Sequence, residues 1–132
     1  MIKLVERYPV KFGYLFGSIV KDLEGPLSDI DIALYLDAEI TNYQRHQYRL
    51  ELLASLNEIF TQKSIDLIIL NHVTISLAYH IIKEGVLFCN YASNEKERVE
   101  EEIILRYLDY RLFAEKFNEW QSKVILESDS YD

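Results

Sequence analysis

The sequence predicts an α/β (α+β) domain: a small mixed sheet flanked by helices, with a long helix at the C-terminal end. Three observations carry that prediction. Strand-like and helix-like runs follow one another as strand, strand, helix, strand, helix, short strand, long helix. The chain has 132 residues, the length of one ordinary domain. Its composition, 49% apolar and 27% charged, is that of a folded globular protein.

Each element has a local reason. Lys11 to Phe16 is an aromatic-rich first strand ending at Gly17-Ser18. Ser18 can cap a short helix through Lys21, and Glu24 to Ser28 is turn chemistry around Gly25-Pro26. Asp29 to Leu36 is a second strand. Its alternation puts Ile30, Ile32, Leu34 and Leu36 on one face and Asp29, Asp31, Ala33 and Tyr35 on the other. Thr41 or Asn42 caps a helix running to about Phe60, with Tyr48, Leu52, Leu53, Leu56, Ile59 and Phe60 at helical spacing. Ile65 to Leu70 is a nearly continuous apolar run and reads as a buried central strand. Thr74 opens a helix with Leu77, Ala78, Ile81 and Ile82 inward and Gly85 as its C-terminal cap. Val86 to Cys89 adds a short strand. Asn94 and Glu97 are spaced as a capping box for the final helix. Its apolar stripe is Val99, Ile103, Tyr107, Tyr110, Ala114, Phe117, Trp120 and Val124. The domain is expected to span residues 1–127, with 128–132 as a frayed tail.

Several function classes are excluded early. The apolar runs are short or carry an acid, so no membrane span is expected. The first seven residues lack the apolar stretch of a secretory signal, and the lone Cys89 fits a reducing cytoplasm. A net charge of −8 makes general nucleic-acid binding unfavourable. Residues 94–132 hold 11 acids and 6 bases, which suits a solvated face or a basic partner. His46, His72 and His80 are too scattered for a zinc site, and no P-loop or dinucleotide fingerprint is present.

The chemistry lies in three carboxylates. Asp29 and Asp31 are two apart on a strand, so both leave one face about 7 Å apart. Asp66 sits in a second strand between Ile65 and Leu67. Pairing the two strands would gather three negative charges, which calls for protonation, bases or cations. All-oxygen ligands favour Mg²⁺ or Mn²⁺ over zinc. Gly17 permits close backbone approach by a phosphate. Ser18 offers a hydroxyl at a helix start, where backbone amides attract anions. Lys21 is either a cation beside a polyphosphate or simply solvated.

Gly17-Ser18, ten residues, then Asp29-Ile30-Asp31 resembles the GS-x10-D-x-D signature of the DNA polymerase β-like nucleotidyltransferases. Asp66 falls where that superfamily carries its third carboxylate. The brevity of the chain and the stretch Leu77 to Phe88 are similar to the minimal nucleotidyltransferases, the MNT antitoxins that accompany HEPN toxins. The resemblance implies Mg²⁺-dependent transfer of AMP from ATP to an acceptor hydroxyl, with release of pyrophosphate. Asp29, Asp31 and Asp66 would hold two Mg²⁺ ions (or Mn²⁺), and Asp66 would help deprotonate the acceptor. Gly17, Ser18, Lys21 and Ser28 would bind the nucleotide. The acceptor would be a tyrosine hydroxyl of a cognate HEPN toxin, bound as a hetero-oligomer in the cytoplasm. Two alternatives stay open: transfer to a small hydroxylated molecule such as an aminoglycoside, and neutralisation by binding alone. The chain departs from the common Gly-Ser-x-Ala-Arg-Gly pattern, with Lys21 for the arginine and Asp22 for the glycine.

Overall fold

The computed structural model describes residues 2–17 and 29–129. Ser18, Lys21, Asp22 and Ser28, with the short helix and turn expected there, lie outside the described residues. The elements are α1 (Ile2–Val5), β1 (Val10–Phe16), β2 (Ile30–Leu36), α2 (Asn42–Ile59), β3 (Ile65–Ile69), a 3-10 turn (Leu70–His72), α3 (Ile75–Glu84), β4 (Val86–Asn90) and α4 (Ser93–Asp129). The described strands form one mixed sheet in the order β3-β2-β1-β4. β1 is antiparallel to both β2 and β4, while β2 and β3 are parallel. The predicted fold class is the one observed.

Strand alternation divides the core between the two faces of the sheet. Ile30, Ile32, Leu34 and Leu36 pack with Leu52 and Leu56 of α2 and with Leu67 and Ile69 of β3. Phe12, Tyr14 and Ala33 pack on the opposite face with Ala78 and Ile81 of α3 and Val99 and Ile103 of α4. The Tyr14 hydroxyl, buried on that face, donates to the Glu100 carboxylate and so ties α4 to the sheet. Burial and that carboxylate hold the Tyr14 phenol far above its ordinary pKa.

Local signals set the helix ends. Thr41 Oγ1 accepts from the Gln44 amide (3.1 Å) and Gln44 Oε1 accepts from the Thr41 amide (3.0 Å), a reciprocal cap that starts α2. Thr74 caps α3 in the same sense, accepting from the Leu77 amide. Gly85 ends α3, but in extended backbone (φ −73°, ψ 160°) and not in the left-handed form expected of a glycine cap. Glycine is required there for space: a Cβ would lie 2.5 Å from the Ile81 carbonyl oxygen and 3.2 Å from that of Leu15.

Two expectations are corrected. The Asn94–Glu97 capping box does not form, because α4 begins at Ser93. Asn90 caps instead: its Oδ1 accepts from the Ala92 amide (3.2 Å) and its Nδ2 donates to Ser93 Oγ (3.1 Å). Among the described residues β3 is an edge strand, not a central one. Its apolar run arises because Leu67 and Ile69 are buried against α2 while Ile65 and Ile68 stay half-covered, with Asp66 exposed.

The stripe predicted for α4 is core only at its start. Val99 and Ile103 are buried, whereas Tyr110, Phe117, Trp120 and Val124 are exposed. Length explains this: 37 helical residues reach about 55 Å, and a seven-residue strand about 23 Å. The helix outruns the body it packs on.

A buried arginine organises the far end of the sheet. Arg45 donates through Nε to His72 Nε2 (2.9 Å) and through Nη1 to the carbonyls of Asp37 (3.1 Å) and Ile40 (2.6 Å). Desolvation and the Arg45 charge lower the His72 pKa below its ordinary 6.5. Folding thus favours neutral His72. Its contribution is complete above pH 6.5 and is lost as pH falls from there through the depressed folded value. The expected result is that His72→Gln, which can still accept from Arg45, loses less melting temperature than wild type between about pH 7 and pH 5. Parallel loss in both proteins would refute this role.

Candidate active site

Parallel pairing sets Asp31 level with Asp66. Their side chains therefore leave the same face from strands about 4.8 Å apart. Asp29 stands one residue ahead of β2, exposed, and its charge reaches Asp31. Partial burial, then the negative charges of Asp66 and Asp29, holds the Asp31 carboxyl above the usual carboxylate range. The sequence reading brought these three acids together; the structure sets Asp31 level with Asp66 and puts Asp29 within reach of Asp31 by charge. Asp66, expected to be costly to bury, is open to solvent because β3 lies at the edge.

Gly17 completes this end of the sheet. Phe16 of β1 pairs with Asp31, so the next residue turns across the Asp31 side chain. Gly17 has φ +81°, in the left-handed region that side chains disfavour, and a Cβ on it would collide with the Asp31 carboxylate oxygen Oδ2. The sequence reading gave Gly17 the task of admitting a phosphate. The structure adds a nearer reason, since glycine here leaves Asp31 free.

The register of the pair is held from its other end. The Leu36 amide donates to Asn71 Oδ1 and Asn71 Nδ2 donates to the Leu36 carbonyl, both at 2.9 Å. This side-chain clip joins the turn after β3 to the end of β2 and continues the ladder. A slip of one residue would send Asp66 to the opposite face, so the clip protects the site. Arg49 of α2 braces the outer edge of β3, its Nε donating to the Leu67 carbonyl (2.9 Å). Sequence reasoning missed Arg49 and Asn71. A basic residue beside the apolar positions of α2 was the available sign of the first, and nothing local marked the second.

The donors are carboxylate oxygens, whose chemistry fits a hard divalent cation such as Mg²⁺ or Mn²⁺. Their mutual repulsion at Asp31 is the kind that a cation relieves. Among the described residues, no three His, Cys, Asp or Glu side chains close around one metal position. No helix among the described residues is long and apolar enough to cross a membrane.

The family model for polymerase β nucleotidyltransferases matches residues 1–94, which include all three aspartates. The chain belongs to that family. Solved structures share the nucleotidyltransferase's fold. A toxin–antitoxin complex with AMP-PNP matches at 24% identity and a TM-score of 0.68, covering 83% of this chain and 85% of that one. A Shewanella oneidensis complex of a tri-AMPylated HEPN toxin with an MNT antitoxin matches at 22% identity and a TM-score of 0.58, covering 83% and 82%. A MntA–HepT toxin–antitoxin pair gives the same figures. No curated protein matches the chain.

Proposed function

We propose that this nucleotidyltransferase is an MNT antitoxin that transfers AMP from ATP to a hydroxyl, that of a tyrosine, on a cognate HEPN toxin in the cytoplasm. The observation that carries the reading is Asp31 level with Asp66 on a face that Gly17 leaves open. Asp29, Asp31 and Asp66 would hold the metal. Mg²⁺, once bound, offsets the charge of the triphosphate and makes the acceptor hydroxyl more acidic. Asp66 accepts the hydroxyl proton, the acceptor oxygen bonds to the α-phosphorus, the bond to the bridging oxygen breaks, and pyrophosphate leaves. Gly17, Ser18, Lys21 and Ser28 are assigned to nucleotide binding, the last three lying outside the described residues.

A protein partner is supported by α4. Leu105, Leu108, Leu112, Phe113, Phe117 and Trp120 are all exposed, with Phe113 at 67% and Trp120 at 59% of full exposure. That many exposed apolar side chains on one helix, with Phe113, Phe117 and Trp120 in ring contact, suit a protein interface. The acidic excess, which the sequence left as a solvated face or the mark of a basic partner, lies mainly in the first turns of α4. Part of it is already paired there, as in Lys96–Glu100 (3.0 Å) and Lys11–Glu95 (4.0 Å). Apolar contact, more than charge, is thus the expected basis of binding. The structures of similar fold were solved with toxins, which agrees with this assignment.

The test is incubation with α-labelled ATP, Mg²⁺ and the product of the adjoining gene. Label is expected on that protein and is lost when EDTA removes the metal. Label on a small hydroxylated molecule alone would favour the aminoglycoside-type alternative. Neutralisation with no label would favour binding alone.

A further inference from the structure

We propose that the outer face of α4 pairs with α4 of a second copy of this chain, antiparallel and about a twofold axis near Leu108. This goes beyond the transfer reading above and stands independently of it.

Leu105, Leu108 and Leu112 follow one another at spacings of three and four residues and so share one face of α4. They are 57%, 47% and 58% exposed. Val99 and Ile103, which α4 buries against the sheet, stand nine residues before Leu108 and Leu112, about two and a half turns. The leucine face is therefore turned away from the body. Phe113, Phe117 and Trp120 lie about a third of a turn round the helix and form a separate strip. Glu95 pairs with Lys11 and Glu100 with Tyr14, so α4 runs toward the Gly17 end of β1. The aromatic strip follows in that direction and is left for the acceptor.

The shape of the leucine face names its occupant. Leu108, Arg111, Leu112 and Glu115 line a hollow of about 370 Å³. Residues at i, i+3, i+4 and i+7 are the four that form a socket for one side chain of a packed helix. In an antiparallel twofold pair crossing near Leu108, the side chain that enters is Leu105 of the other copy. The symmetry then fills both sockets at once.

Charge fits the same alignment. The ion pairs within α4 are Arg98–Glu95 (3.9 Å), Lys96–Glu100 (3.0 Å), Arg106–Glu102 (3.8 Å) and Arg111–Glu115 (3.4 Å). Glu101, Lys116 and Glu119 make none among the described residues. The crossing sets Glu101 level with Lys116 of the other copy, and Arg98 level with Glu119. Each contact occurs twice. A parallel pair would instead set Glu101 against Glu101. Exposed ion pairs add little affinity, so the leucines hold the copies together and the charges fix the antiparallel sense.

The test is sedimentation equilibrium of the full chain over a concentration series. The mass should rise with concentration toward twice that of one chain. Leu108→Glu, which sets like charges together at the crossing, should weaken self-association about a hundredfold and leave the helical circular dichroism unchanged. Glu101→Lys should weaken it about tenfold, and Glu101→Lys/Lys116→Glu should restore it. These two residues are about 22 Å apart along one helix, so the rescue acts between copies. A chain that stays monomeric throughout, or a dimer indifferent to Leu108→Glu, would overturn the proposal. A double variant no better than Glu101→Lys would overturn the antiparallel alignment. A monomeric chain whose Leu108→Glu variant no longer holds the product of the adjoining gene would assign the face to that protein instead.

Discussion

Asp31→Asn is expected to lower nucleotide transfer about a thousandfold or more, equivalent to ~4 kcal/mol of transition-state stabilisation, while the fold survives. Asp31 feels the charge of both neighbouring acids. It is level with Asp66, two residues after Asp29, and held above the usual carboxylate range by burial and then by both of those charges. At neutral pH its ionised form therefore costs folding free energy when no metal is bound. Asparagine keeps the shape and removes that repulsion, so the metal-free melting temperature should hold or rise. Mg²⁺ should raise the melting temperature of wild type by mass action and do much less for the variant. Asp29→Asn and Asp66→Asn should share the catalytic defect. Wild-type rates in the Asp31 variant, or a large loss of metal-free stability, would contradict this assignment.

The second large effect is expected at Gly17. Even Gly17→Ala places a Cβ against Asp31 Oδ2, in backbone at φ +81° where an L-residue costs about 1–2 kcal/mol. Either the turn reshapes or Asp31 swings away, and both spoil the carboxylate that matters most. Transfer should fall about a hundredfold for Gly17→Ala and further for Gly17→Val. The melting temperature should drop by about 3 °C or more, since the strain is paid in the folded state. These outcomes separate the glycine's role beside Asp31 from a role in phosphate approach alone, which would weaken ATP binding and leave the melting temperature in place. An alanine variant with wild-type rate and stability would refute the geometry.

Much of this was legible in the chain, and the limits have physical causes. Period-two alternation from Asp29 to Leu36 correctly divided the sheet's two faces and put Asp31 on the face opposite Ile30, Ile32, Leu34 and Leu36. Threonine caps at Thr41 and Thr74 marked helix starts because their hydroxyls satisfy amides only a few residues away. What failed was long-range. Ile65 to Leu70 looks central because one of its faces is buried and the other half-covered, and nothing local tells how many strands flank it. The stripe on α4 has core periodicity throughout, yet only tertiary length decides where the body ends and exposed Phe113 to Val124 begin. At the site, residue types and spacing pointed to Asp29, Asp31 and Asp66, and the register sets Asp31 level with Asp66. The clash between a Gly17 side chain and Asp31, and the bracing of β3 by Arg49 and Asn71, depend on which strands become neighbours.

The most direct measurement of the central claim is the intact mass of the adjoining gene's product after co-expression with this protein. One or more added AMP units are expected with the wild-type chain, and none with Asp29→Asn/Asp31→Asn. A partner that keeps its unmodified mass yet is silenced equally by wild type and double variant would contradict adenylyl transfer and leave a protein that neutralises by binding.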